Sequence, residues 1–193
     1  MTLAMTLNAP NMPIGELEGL LPALAVVLPA GTSLQGGTVS AHFTVAGPAQ
    51  SAIAGGSIAM NKTQLKGFEP SKRMSSVEKL AGLKSGPNLD IETLSANLQS
   101  SPEGTAASDL KLVATGIGEV TGAGTVSPAH ALNFQMQAAV HTSGLMAAMS
   151  DKPIPFKVGG TASDPTFTPD VGAVVKGELK GVAGGLIKVL TGK

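Results

Sequence analysis

Leu132-Asn-Phe-Gln-Met-Gln-Ala-Ala-Val140 places Leu132, Phe134, Met136, Ala138 and Val140 at every second position, with Asn133, Gln135 and Gln137 between them. Successive side chains of an extended strand point to opposite faces, so a period of two predicts a strand with one apolar and one polar face. The same alternation is present at Val39, Ala41, Phe43 and Val45, interleaved with Ser40, His42 and Thr44, and that strand ends at the turn pair Gly47-Pro48. Leu3, Met5 and Leu7 share one face of an extended segment that ends at the turn residues Asn8-Ala-Pro-Asn11. Ile58 and Met60 open another strand, which runs toward Leu65. Leu110 and Leu112 form a further strand, and Ile117 through Val126 continues as a Gly-rich one.

One stretch breaks parity. Leu89 and Ile91 share one phase, whereas Leu94, Ala96 and Leu98 share the other. A β-bulge near Glu92-Thr93 would insert the extra residue that returns both sets to one face. Closely spaced strands joined by Gly and Pro turns predict an antiparallel meander. Such a sheet buries one face and presents the other to water.

Helical spacing is confined to three places. Ile14, Leu17, Leu20, Leu21 and Leu24 recur at helical intervals, with Asn11 as a cap, Pro13 near the first turn and Pro22 as a kink or stop. Ser75-Ser-Val-Glu-Lys-Leu80 reads as a short helix with a capping box from Ser75 to Glu78, ending near Gly82. The third is the closing unit over 153–193. There Ile154, Phe156 and Val158 form a strand, Asp164-Pro165 a turn, and Thr168 caps a helix with Pro169 at its first position and Asp170 in its first turn. Val171, Val174, Val175, Leu179, Val182, Leu186, Ile187 and Leu190 make one broad apolar face of that helix. The fold class expected is therefore mainly β with α (α+β): a curved antiparallel sheet with short helices and a C-terminal amphipathic helix, in one domain over 1–193.

Composition narrows the function. Aromatic residues are 3% and Trp and Tyr are absent, so Ala, Val, Leu and Ile must supply the apolar area. A thin or curved sheet suits that better than a thick globule. Charged residues are 13% with zero net charge, and the densest basic cluster is Lys62, Lys66, Lys72 and Arg73. That is a solvated rim rather than a phosphate-binding stripe, and no nucleic-acid partner is expected. The absence of cysteine excludes disulfides and thiolate chemistry. No apolar run approaches the roughly 18 residues of a membrane span, and the alternating N-terminus lacks a basic signal region.

The residues that carry chemistry elsewhere have plainer uses here. His42, His130 and His141 lack metal-ligand spacing and read as solvated surface. Gly116-Ile-Gly-Glu-Val-Thr121 nearly matches a dinucleotide loop, but its last position is Thr and it opens no helix, so strand bulging or close backbone approach explains its glycines. No serine sits in a nucleophile elbow. Glu16 with Glu18 reads as helix surface, and Asp164 with Asp170 as turn and cap. No catalytic residue, metal or cofactor is expected. What remains is the apolar face, where Val39, Phe43, Ile58, Leu110, Leu112, Leu132, Phe134 and Met136 either line a concave sheet that holds acyl chains or pack beneath helices as an ordinary core.

The order of elements resembles the C-terminal region of the AsmA family. The stretches that carry the resemblance are Leu28-Pro-Ala-Gly-Thr-Ser-Leu-Gln-Gly-Gly-Thr38, the strand to Gly47-Pro48, Leu65-Lys-Gly-Phe68 and Asp90-Ile-Glu-Thr-Leu-Ser-Ala96. The clearest is Ile154-Pro-Phe-Lys-Val-Gly-Gly-Thr161 followed by Asp164-Pro-Thr-Phe-Thr-Pro-Asp170. The resemblance implies a β-groove lined with apolar side chains, in an envelope protein anchored in the inner membrane and projecting into the periplasm. It implies a non-enzymatic part in phospholipid transport or outer-membrane assembly. The chain is then expected to be a piece of a longer protein, with phospholipid, other envelope proteins or its own upstream part as partners. A structural domain that assembles through exposed strand edges is the alternative.

Overall fold

The computed structural model describes residues 2–20, 27–48, 50–69, 87–139 and 153–170. Within them lie ten strands: β1 (Thr2–Pro13), β2 (Ser33–Gln35), β3 (Thr38–Pro48), β4 (Ile53–Lys66), β5 (Leu89–Ser101), β6 (Gly104–Ala114), β7 (Gly118–Val126), β8 (Leu132–Ala139), β9 (Ile154–Gly160) and β10 (Pro165–Pro169). They form one open antiparallel sheet in the order β1-β3-β4-β5-β6-β7-β8-β9-β10. The short β2 pairs with the end of β4, Ser33 to Lys66 and Gln35 to Gln64, and so prolongs the line of β3 across Gly36-Gly37. Among the described residues a single helix, α1 (Ile14–Leu20), follows β1.

The register explains why the sheet has one apolar face. Directly opposed residues share a face. The row Leu7, Phe43, Gly56, Leu98, Ala107, Gly124, Phe134, Val158, Phe167 crosses from β1 to β10 without a polar residue. A second row, Met12, Val39, Met60, Leu94, Leu112, Val120, Ala138, Ile154, is equally apolar. On the opposite face runs Asn8, His42, Ser57, Asn97, Ser108.

Bulges keep the rows aligned. The register of β5 against β6 shifts between Ile91 and Thr93, where the parity break at Glu92 predicts it. The neighbouring β4 shifts phase at the same level, with Lys62 in the left-handed region at φ 53°. Thr63, Leu65, Leu89 and Ile91 thereby join the apolar face, and all four are buried. Two more bulges hold Asn11 (φ 50°) in β1 and Asp109 (φ 51°) in β6, residue types that tolerate that conformation.

The sheet also curls. Phe68, just past β4, meets Phe167 of β10 edge to face with ring centroids 6.1 Å apart, and Ala30 donates its N–H to the Ser163 carbonyl at 2.8 Å. In a flat sheet, the six steps from β4 to β10 would separate these strands by roughly 29 Å. Bulges bend strands and raise local twist, and these four supply the bend. At the curled end Ile14 and Leu17 of α1 pack with Leu34, Val39, Leu65, Phe68, Ile91, Ile117, Val120 and Phe156 into one core.

Two expectations are corrected. Asn8–Asn11 does not end β1: the strand passes through a bulge in which Asn11 receives a bond from no helix but donates its N–H to Ser40 Oγ at 3.0 Å, so Asn11 is not the cap of α1. Thr168 and Pro169 are not a helix start. They pair with Lys157 and Phe156 as the end of β10, because Pro165, Phe167 and Pro169 alternate with Thr166 and Thr168, a period of two that outweighs the local capping signal. The described residues are mainly β, as expected, with one seven-residue helix. The helix near Ser75–Leu80, the terminal helix beyond Asp170, and Leu21, Leu24, Lys72, Arg73, Val140 and His141 lie outside the described residues.

Candidate functional site

The apolar face is the one surface whose chemistry is organised across the whole sheet. It divides into a covered and an open zone. At the end where α1 packs, Ile14 of the helix is 2% exposed, and Val39 and Phe156 on the sheet are 0% and 3% exposed. Toward the opposite strand ends, Leu3, Phe43, Val45, Leu98, Val126 and Leu132 are half-buried, and at the β1 edge Met5 and Leu7 are 61% and 49% exposed.

The eight residues expected to line the face all point to it, yet they do not form one site. Val39 and Met136 are buried in the core. Ile58, Leu110, Leu112 and Phe134 are half-buried and packed against that core. Phe43 and Leu132 stand in the open zone. The face is thus core over one part of the strands and open to solvent over another.

Glycines shape the open zone. A Cβ on Gly56 would strike the Phe43 ring and the His42 carbonyl, and one on Gly124 would strike the Phe134 ring and the Asn133 carbonyl. The rings therefore lie down over the glycines instead of standing up from the sheet. The result is a low apolar floor. Sequence reasoning missed this, although Gly122 and Gly124 share the parity of Val120 and Val126 and so mark the apolar face. It also missed Leu98, Val158 and Phe167, because their role needs the cross-strand register.

Polar groups at the margin are internally satisfied. Thr105 Oγ1 bonds Ser100 Oγ at 3.0 Å where these opposed residues close the apolar face at the open end. Thr63, the one buried polar residue among the described residues, donates to the Asn61 carbonyl at 3.4 Å.

No known protein family, characterised protein or solved structure matches this chain.

The rest of the surface carries paired polar groups. A shallow depression on the polar face is lined by Asn8, Ser40, His42, Ser57, Asn97 and Asp109, and Asn97 Nδ2 donates to Asp109 Oδ2 at 3.0 Å within it. Lys111 pairs with Glu119 at 2.9 Å and Lys157 with Asp170 at 3.4 Å. Among the described residues no three His, Cys, Asp or Glu side chains converge on a common point. Gly116 occupies the tight turn between β6 and β7, at φ 79°, with the Ile117 N–H bonded to the Ala114 carbonyl at 3.2 Å. That is hairpin geometry, not the strand-to-helix turn a dinucleotide loop requires. Among the described residues no helix is long and apolar enough to cross a membrane.

Proposed function

We propose that this chain is a non-enzymatic lipid-handling module of a bacterial envelope, and that the open zone of its apolar face is a β-groove for the acyl chains of a phospholipid. The observation that carries the reading is the row from Leu7 to Phe167, apolar in every strand it crosses and left uncovered at the β1 side. Hydrocarbon needs no polar recognition groups. Each methylene removed from water contributes about 0.8 kcal/mol, so a few turns of contact along a low floor suffice. The flattened rings of Phe43 and Phe134 leave room for a chain to lie on them. The resemblance to the AsmA family adds the phospholipid, the periplasm and a role in outer-membrane biogenesis.

Native mass spectrometry and solvent extraction of protein purified without detergent test the proposal. Phospholipid should accompany the wild type. Leu98→Glu, which places a carboxylate on the floor, should release it, whereas Asn97→Glu on the opposite face should not. A wild-type protein that carries no phospholipid and binds no fluorescent fatty acid would sink the idea.

A further inference from the structure

The two edges of the sheet differ in a way that backbone hydrogen bonding makes explicit. In an antiparallel pair, alternate residues direct both N–H and C=O at the neighbour, and the residues between them face away. The Thr161–Asp164 turn, with N–H to carbonyl bonds in both directions, and the bond from Asp170 N–H to the Pro155 carbonyl put residues 166, 168 and 170 toward β9. Residues 165, 167 and 169 of β10 therefore face outward. Two of these are proline, which has no N–H, so only Phe167 offers a donor along that edge. The β10 edge is blunted.

At the other edge the bond from Ile14 N–H to the Gly37 carbonyl, and that from Ser51 N–H to the Pro48 carbonyl, fix the odd residues of β3 toward β1. Their partners Leu3, Met5, Leu7 and Ala9 point inward. Among the described residues, Thr2, Ala4, Thr6 and Asn8 then present complete, unpaired N–H and C=O groups to the outside. The strand carries no charged residue from Thr2 to Pro13, and its prolines stand at 10 and 13, beyond this stretch. Among the described residues no strand lies on the outer side of β1, and Met5 and Leu7 are exposed.

The geometry points to β1 as a self-pairing edge that joins two copies of this chain in an antiparallel, two-fold dimer centred on Met5. In that register Thr2 and Ala4 exchange backbone bonds with Asn8 and Thr6 of the second copy. Met5 meets its own equivalent, and Leu3 meets Leu7, in the non-hydrogen-bonded pairs where side chains come closest. All of these are on the apolar face, so the faces of the two copies merge across the dyad. No like charges oppose one another. The β10 edge cannot substitute, having lost two of its three outward donors, so the contact closes as an isologous dimer and does not propagate into a filament. This inference stands independently of lipid binding.

Sedimentation velocity across a range of concentrations tests it. The wild type should show a reversible monomer–dimer equilibrium. Thr6→Pro removes an outward donor without touching the β1–β3 ladder, and should raise the dissociation constant about tenfold or more while the circular dichroism spectrum stays unchanged. The chain contains no cysteine, so single substitutions report the register directly. Met5→Cys should cross-link to a disulfide dimer on mild oxidation, faster than Thr6→Cys, which faces Ala4 of the second copy, and much faster than Asn97→Cys on the polar face. A wild type that stays monomeric at every concentration would overturn the proposal. So would a dimer indifferent to Thr6→Pro, or Met5→Cys cross-linking no faster than Asn97→Cys.

Discussion

At one end of the strands Val39, Val120, Ala138 and Phe156 are sealed from water, while on the same face, toward the other end, Met5 and Leu7 are 61% and 49% exposed. The composition of the two zones is alike, and so is the alternation that produces them. Cover makes the difference. α1, Leu34, Phe68 and the turn around Ile117 all fall at one end, and among the described residues none reaches the other. A single apolar face thus acts over one part as a core and over the other as a surface.

Substitutions at the two ends should separate these roles. The largest contrast is between Phe156→Ala and Leu7→Ala. Phe156 is 3% exposed and touches Phe167, so its truncation should cost about 3–5 kcal/mol in urea unfolding. Leu7→Ala should stay within about 0.5 kcal/mol, since an exposed side chain loses little contact. Similar losses at both positions would erase the distinction between zones.

Gly124→Val probes whether the open floor is pinned or merely empty. Its side chain would enter the Phe134 ring and the Asn133 carbonyl, and only the ring can move. A loss of about 1–3 kcal/mol is expected, partly restored when Phe134→Ala is added. Phe68 is 5% exposed, so Phe68→Ala should cost about as much as Phe156→Ala, and its signature is where the loss falls. It breaks the contact that ties β4 to β10, worth about 0.5–1.5 kcal/mol beyond simple burial, and amide exchange should quicken in β9 and β10 more than in β1 and β3. The smallest effect is expected at the Lys62 bulge. Lys62 holds φ 53°, which glycine adopts freely, so Lys62→Gly should change the unfolding midpoint little, with a gain of at most about 1 kcal/mol, and Lys62→Val should lower it.

Much of this was legible in the residues. The alternations at Val39–Val45 and Leu132–Ala138 gave both the strands and the face they share. The phase change between Ile91 and Leu94 located a bulge correctly, because a one-residue slip would turn every later side chain to the wrong face. The errors share a cause. Asn11 before Pro13, and Thr168 before Pro169, carry local signals that suit a helix start equally well. At Thr168 the ambiguity is resolved by the edge. Pro165 and Pro169 occupy positions whose N–H would point away from the sheet, so a strand accommodates them without losing a ladder bond.

The apolar residues were legible as a face and not as a site. Periodicity places Val39 and Phe43 identically, and only the position of α1 makes the first core and the second floor. By itself, then, the sequence determined most of the long strands, their polarity and the bulge that keeps the polarity constant, because these depend on neighbours a few residues apart. The tertiary structure alone decided the curl that brings Phe68 to Phe167, the rings lying over Gly56 and Gly124, and which end of the face is covered. Each of these depends on register between strands that are distant along the chain, and backbone hydrogen bonding settles that register only when the whole sheet has formed.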